Sequence, residues 1–192
     1  MGKVVVSEFV SLDGVMEDPG GAESFEHGGW TFKFEQGPEG AQFKFDEVMK
    51  AEGLLLGRVT YQEFAQAWPS MIDTGEFGDK MNGMFKFVVS TILEKAEWNN
   101  STLLKGDVAD EVTRLKRQVG GELLVNGSAR LIQTLMEHDL VDEYRLMVFP
   151  IVLGSGKRLF EGGSKTTTLR LVETKPVGPD GVVILTYEPK RA

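Results

Sequence analysis

Short apolar runs alternate with helical stripes through the first two-thirds of the chain. Val4 to Val10 reads as a mostly buried first strand, and Leu54-Leu55-Leu56, Met84 to Ser90, Thr102 to Leu104 and Leu123 to Val125 repeat the pattern. Between them lie residues at helical spacing. Phe45, Val48 and Met49 mark one face over Glu39 to Lys50. Tyr61, Phe64 and Ala65 mark a short helix that ends at Trp68-Pro69, because a proline disfavours helix in the residue before it. Val108, Val112, Leu115 and Val119 follow a capping Asp107 and stop at Gly120-Gly121. Leu131, Ile132, Leu135 and Met136 form the last stripe.

The final third is strand-rich. Asp142 to Leu153 reads as a long strand with Pro150 near its end, Leu169 and Leu171 share one strand face, and Val182 to Tyr187 follows the Asp180-Gly181 turn. This order predicts one α/β domain over residues 1–192. Its sheet is mixed and mainly parallel, flanked by helices on both faces, with antiparallel strands at the C-terminal end. Ser11 to Pro38 is a long Gly-rich, acidic stretch of the kind that forms a functional lid or stays disordered, with Trp30, Phe32 and Phe34 alternating inside it. Gly154 to Thr168 reads as a loop within the domain.

A chain of 192 residues can bury a sizeable core, and 41% hydrophobic content is that of a globular protein. The absence of cysteine excludes disulfides, thiolate zinc sites and a cysteine nucleophile, and fits a reducing cytoplasm. No apolar leader opens the sequence. The longest apolar run, Leu146 to Leu153, is eight residues and cannot span a bilayer. The net charge of −8 argues against nucleic-acid and anionic-membrane partners. His27 lies in a Gly-rich loop and His138 at the polar end of a helix, so neither a Ser-His-Asp triad nor a histidine metal site is supported.

The candidate chemistry gathers at strand-to-helix turns. Leu123 to Val125 stops at Asn126-Gly127-Ser128, where Gly127 permits close backbone approach and Ser128 is a suitable N-cap. Backbone N–H groups and the helix dipole there suit an anion such as a pyrophosphate, although many α/β proteins contain such a turn for purely structural reasons. Gly57-Arg58-Val59-Thr60 is a second such turn. Arg58 offers bidentate phosphate geometry, or by itself simply a surface ion pair, and Thr60 a hydroxyl, so two turns on neighbouring strands suit one dinucleotide. Ser90-Thr91, with Lys95 beyond, closes a third strand and offers donors to a further phosphate or is simply a hydroxyl-rich turn.

No GxGxxG follows the first strand, and Gly154-Ser155-Gly156-Lys157 lacks the spacing of a Walker A loop. Asp13, in Ser11-Leu12-Asp13-Gly14, stands at the mouth of the first strand, placed to orient a substrate N–H or relay a proton, or simply to make an Asp-Gly turn. Trp30, Tyr61 and Trp68 are aromatics near loops, suited to stacking on a flat heterocycle or to core packing.

Several segments occur together in order. They are Ser11-Leu12-Asp13-Gly14, Leu54-Leu55-Leu56-Gly57-Arg58-Val59-Thr60-Tyr61, Lys86-Phe87-Val88-Val89-Ser90-Thr91 and Leu124-Val125-Asn126-Gly127-Ser128-Ala129-Arg130-Leu131. Leu140-Val141-Asp142-Glu143 and the run Pro150 to Phe160 complete the set. With these segments the chain resembles the dihydrofolate-reductase-like superfamily. Within it, the chain is similar to stand-alone bacterial relatives of the C-terminal reductase domain of the bifunctional deaminase-reductases of riboflavin biosynthesis.

The resemblance implies NADPH as cofactor and a homodimer. Gly57, Arg58 and Thr60 then face the cofactor phosphates, Ser90 and Thr91 the 2′-phosphate, and Asn126, Gly127 and Ser128 the pyrophosphate. The nicotinamide lies between the first strand and the strand ending at Val125. Asp13 is the catalytic candidate, and Trp30, Asp46 and Ile151 are the substrate-binding candidates. One departure stands out. Dihydrofolate reductases carry a pterin-facing carboxylate on the helix before the Gly-Arg turn, and here Ala41 to Met49 offers only Asp46 or Glu47. Lys157 and Arg158 are candidates for a substrate phosphate. The expected activity is reduction of a small heterocycle, such as a phosphoribosylaminouracil of riboflavin biosynthesis. The alternative is a non-catalytic binding protein on the same fold.

Overall fold

The computed structural model describes residues 1–161 and 165–191. Eight strands form one sheet: β1 (Lys3–Ser11), β2 (Ala51–Gly57), β3 (Phe85–Val89), β4 (Ser101–Leu104), β5 (Glu122–Val125), β6 (Glu143–Phe149), β7 (Leu169–Val177) and β8 (Val182–Pro189). Their order is β4-β3-β2-β5-β1-β6-β8-β7. The first six pair in parallel, and β7 and β8 add an antiparallel edge. Among the described residues five α-helices flank it: α1 (Gly37–Lys50), α2 (Arg58–Ala67), α3 (Gly75–Gly83), α4 (Val108–Gln118) and α5 (Ala129–Glu137). The expected mixed α/β architecture is what the chain adopts.

The central strands are apolar on both sides because both faces are covered. Val4, Val6, Leu55, Leu123 and Val125 pack under Val112 and Leu115 of α4 and Leu131, Ile132 and Leu135 of α5. Their alternating neighbours Val5, Leu54, Leu56 and Leu124 pack on the other face under Val48 of α1, Tyr61 of α2 and Met81 of α3. A third cluster fills the β6–β8 end, where Trp30 packs among Met147, Phe149, Val182 and Ile184. Asp107 caps α4 as expected, accepting from the N–H groups of Ala109 and Asp110.

The structure departs from the sequence reading in three places. The long strand from Asp142 stops at Phe149 rather than Leu153, because Pro150 cannot continue the ladder and the Ile151 N–H turns back to the Phe149 carbonyl. β7 runs on to Val177, and nearly all its residues are exposed, so no apolar alternation marks it. Helix α3 carries no clear stripe and contains Gly78, where an added Cβ would meet Thr74 Oγ1 at 1.7 Å. The helix is held from outside, by Phe77 packing on Trp68 with ring centroids 5.5 Å apart. Part of the expected 154–168 loop, at 162–164, lies outside the described residues. No helix among the described residues is long and apolar enough to cross a membrane.

Ile132 is fully buried between α5 and the sheet. Ile132→Ala is expected to destabilise the fold by about 2–5 kcal/mol, read as a lower denaturant midpoint at unchanged slope.

Candidate active site

β2 and β5 are adjacent, so the two glycine-bearing turns at their carboxyl ends lie side by side. They are joined by reciprocal hydrogen bonds. The Gly57 N–H donates to Ser128 Oγ at 2.9 Å, and the Ser128 N–H donates to Thr60 Oγ1 at 3.0 Å. Gly127 and Ser128 both adopt left-handed backbone, with φ of 58° and 60°. A Cβ on residue 127 would come within 2.9 Å of Thr60 Oγ1, so close approach as well as φ requires glycine there.

Ser128 therefore differs from the expected N-cap. Its hydroxyl makes no cap bond to α5 and instead holds Gly57 on the neighbouring turn. Neither α2 nor α5 receives a side-chain cap, and neither has an acidic residue in its first turn. Arg58 and Arg130 occupy those first turns instead. A cation beside the positive end of a helix is unfavourable by about 0.3–1 kcal/mol, and first-turn N–H groups want acceptors. α4, by contrast, has its Asp107 cap with Asp110 and Glu111 in its first turn. The paired helix starts of α2 and α5 thus fit an anionic group that would satisfy both. Among the described residues the Arg58 guanidinium bonds only Gln62 of its own helix, at 2.8 Å.

On the next strand, Ser90 is buried at the end of β3, its hydroxyl accepting from the N–H groups of Ile92 and Leu93. Thr91 beside it is exposed. Asn126 reaches across to β1, its Nδ2 donating to the Ser7 carbonyl at 2.8 Å. That bond marks where β1 and β5 part. Their pairing ends at Val6 and Val125, while β1 continues to Ser11 beside β6.

The substrate-side candidates fare differently. Asp13 is not a free proton relay. Its carboxylate accepts from Ser11 Oγ and from the backbone N–H groups of Leu153 and Gly154, and Arg158 lies at 3.4 Å. The Ser11 hydroxyl bond, with the two backbone bonds, holds Asp13 far below the ordinary carboxylate range despite some desolvation. It is a clamp that ties the loop after β1 to the loop after β6. Trp30 is fully buried. Its indole N–H donates to the Glu17 carbonyl and its ring meets Phe149 edge-on at 5.4 Å, so it offers no face to a ligand. Asp46 is exposed and accepts from Gln42 on its own helix. Ile151 is half-buried and its carbonyl takes the Leu12 N–H, beside the mouth of β1. Lys157 pairs with Glu17 and Glu23, and Arg158 with Asp13, so both cations are already engaged.

A cluster missing from the sequence reading lies on β1 and α1. Ser7 Oγ donates to the Glu47 carboxylate and accepts from Lys44, which also pairs with Glu47. Glu47, not its neighbour Asp46, is thus the α1 acid that reaches the sheet. Glu8 is 6% exposed, and its Oε1 has no hydrogen-bond partner among the described residues. Desolvation pushes its carboxyl well above the ordinary glutamate range. Lys44 opposes that shift, Glu47 adds to it, and the Gly127 N–H opposes it. The signal was present: Ser7-Glu8 interrupts the apolar run Val4 to Val10 inside a strand buried on both faces.

A raised carboxyl pKa costs stability over a defined window. Above the ordinary glutamate value the unfolded chain has lost a proton that the folded chain keeps, so stability falls as pH rises toward the folded value. Glu8→Gln cannot ionise. It is expected to melt above wild type near neutral pH, because it removes the cost of a buried carboxyl that resists ionisation. The difference should vanish by about pH 4, as followed by circular dichroism melts.

Comparison with known proteins places the chain in a family. The model for the RibD C-terminal domain matches residues 2–183. Two Bacillus subtilis proteins of uncharacterised function are similar. YyaP is 30% identical over 145 residues, covering 74% of this chain and 76% of its own length, and YwjB is 29% identical over 176 residues, covering 92% of each. A Shewanella sp. PV-4 protein named for riboflavin biosynthesis superposes with a TM-score of 0.76 at 24% identity, over 98% of this chain and 99% of its own. A dihydrofolate reductase from Enterococcus faecalis, solved with NADP(H), superposes at 0.63 with 14% identity over 98% and 97%. A pyrimidine reductase-like protein from Corynebacterium diphtheriae gives 0.62 at 12% identity, over 99% and 92%. The folds agree throughout, and the chain belongs to the RibD C-terminal domain family.

Proposed function

We propose that the chain is an NADPH-dependent reductase of a small heterocycle of pyrimidine or pterin type. The observation that carries this reading is the pair of adjoining helix starts, α2 and α5, each without a side-chain cap or first-turn acid and each with a first-turn arginine. Family membership and the fold shared with a dihydrofolate reductase support it. Gly57, Arg58 and Thr60 on one turn, and Asn126, Gly127 and Ser128 on the other, are the residues that would hold the cofactor phosphates. Ser90 and Thr91 would lie toward the 2′-phosphate. The cofactor supplies a hydride. The chain supplies position and a dry gap between β1 and β5.

One observation favours a non-catalytic binding protein instead. Glu47, the α1 acid nearest the sheet, is already bound to Lys44 and Ser7 and is not free for a pterin. That reading predicts heterocycle binding with no NADPH oxidation across pyrimidines, pterins and folates.

Titrating NADPH into the protein and following nicotinamide fluorescence tests the reductase reading, and no binding at millimolar cofactor would sink it. Arg58→Ala is expected to weaken NADPH about tenfold or more, roughly the 1.5–3 kcal/mol of a charge-assisted hydrogen bond, and to weaken NADH less. Equal losses would count against a role toward the 2′-phosphate.

We also infer a homodimer, from the family resemblance. Among the described residues the outer strand β7 pairs only with β8, which leaves an unpaired edge that a second copy can cover, with Leu171 and Val172 each 48% exposed beside Arg170, Glu173 and Lys175. Sedimentation at micromolar concentration should give a mass of two chains, and a monomer would refute it.

A further inference from the structure

We propose that Glu8 is the acid of this site: its carboxyl, lodged beside Gly127 where β1 and β5 part, hydrogen-bonds a ring nitrogen of the heterocycle and gives it a proton. The inference rests on the reductase reading above and adds the group that completes the reaction.

The position comes from the sheet. Beyond Val6, β1 has β6 on one side and no strand on the other, since β5 has ended. Glu8 stands two residues past that point. It shares with its β6 partner Leu146 the sheet face that carries Val6 and Val10. The α5 turn lies beside it, near enough for the Gly127 N–H to favour its charged form slightly. The same turn carries Ser128, whose backbone and side chain knit the proposed phosphate site together. A group at Glu8 is therefore next to the cofactor turn and at the edge of the gap.

The charge count fixes its state. Two carboxyls, Glu8 and Glu47, and one ammonium, Lys44, share this region. Both Lys44 and the Ser7 hydroxyl are committed to Glu47. From β6 the neighbour is the apolar Leu146, and from the α5 turn only a backbone N–H. Glu8 is thus a buried acid with no cation of its own, and a buried unpaired charge is avoided by keeping the proton. A neutral carboxyl can donate as well as accept. Its Oε1, sealed from solvent and unpartnered among the described residues, is the kind of orphan that a ligand satisfies.

The chemistry requires such a group. Reducing a ring C=N bond places a hydride from the reduced nicotinamide on carbon and a proton on nitrogen. The Glu8 O–H bond breaks as the N–H bond forms, leaving a carboxylate that recovers its proton from water. Asp13, the other acid near the mouth of β1, is held ionised by its clamp and has none to give. A general acid acts best when its pKa lies near the working pH, the direction in which burial moves Glu8.

Carbon-13 NMR of protein labelled at the glutamate carboxyl carbon reads the proton directly, with the Glu8 signal assigned by its loss in Glu8→Gln. The expected signal is that of a protonated acid at neutral pH, and an ionised Glu8 there overturns the proposal. Glu8→Gln keeps the shape and the hydrogen-bond donor but cannot release a proton. It should bind NADPH within about threefold of wild type while kcat falls about 10²-fold or more, with the alkaline limb of the pH profile gone. A variant at wild-type rate with an unchanged profile overturns the role, because a merely structural glutamate would alter melting and not the profile. A wild type that binds no NADPH overturns the reductase reading and this role with it, whereas bound NADPH beside an ionised Glu8 overturns the role alone.

Discussion

Two reciprocal hydrogen bonds between the turns after β2 and β5 set the geometry on which the candidate site depends. Gly57 gives its N–H to Ser128, and Ser128 gives its own to Thr60. Each bond uses a backbone donor that would otherwise need an acceptor at a buried helix start. Together they fix the starts of α2 and α5 relative to each other. The left-handed Gly127 and Ser128 end β5 at Val125 in the process. Because β5 stops after four residues and β1 runs for nine, β1 continues past it with β6 as its partner and Asn126 bridging back to Ser7. The proposed cofactor turn and the gap beside it are two consequences of one local conformation.

The global charge makes that local arrangement more informative. A chain of net charge −8 repels anions at long range. It nevertheless places Arg58 and Arg130 at the two helix ends where cations are least welcome, while the acids that would suit those ends are spent elsewhere. At ordinary ionic strength the repulsion is screened within about 8–10 Å. Short-range donors therefore decide whether an anion binds, and the site supplies backbone N–H groups from two helices at once.

Much of this was legible in the sequence, and the limits have physical causes. The buried strands could be read because parallel strands covered on both faces are continuous apolar runs, as at Val4 to Val6 and Leu54 to Leu56. The two turns could be read because glycine and hydroxyl residues mark strand-to-helix junctions. α3 and β7 could not, because one is held by Phe77 on Trp68 and the other is exposed almost throughout. Trp30 was ambiguous for the same kind of reason. A loop aromatic serves a ligand or a core equally well in one dimension, and only the fold puts it against Phe149. Ser128 was read correctly as a polar group at a helix start and incorrectly as its cap, since its partner is 71 residues away.

The contrast between Asp13 and Glu8 carries the same point into chemistry. Asp13 has the sequence surroundings of a functional residue: a loop, a glycine beside it, and a strand end. Those surroundings also deliver donors, so Ser11, Leu153 and Gly154 saturate its oxygens and fix its charge. Glu8 sits inside an apolar strand where a charged side chain looks out of place. That setting withholds donors, leaving an oxygen unpartnered and a proton favoured. An acid useful for proton transfer must be able to give up what it holds, and full satisfaction by the protein's own donors removes that ability. Reactivity in this fold therefore goes with the carboxyl that the protein has left unsatisfied, five residues before the one it has tied down.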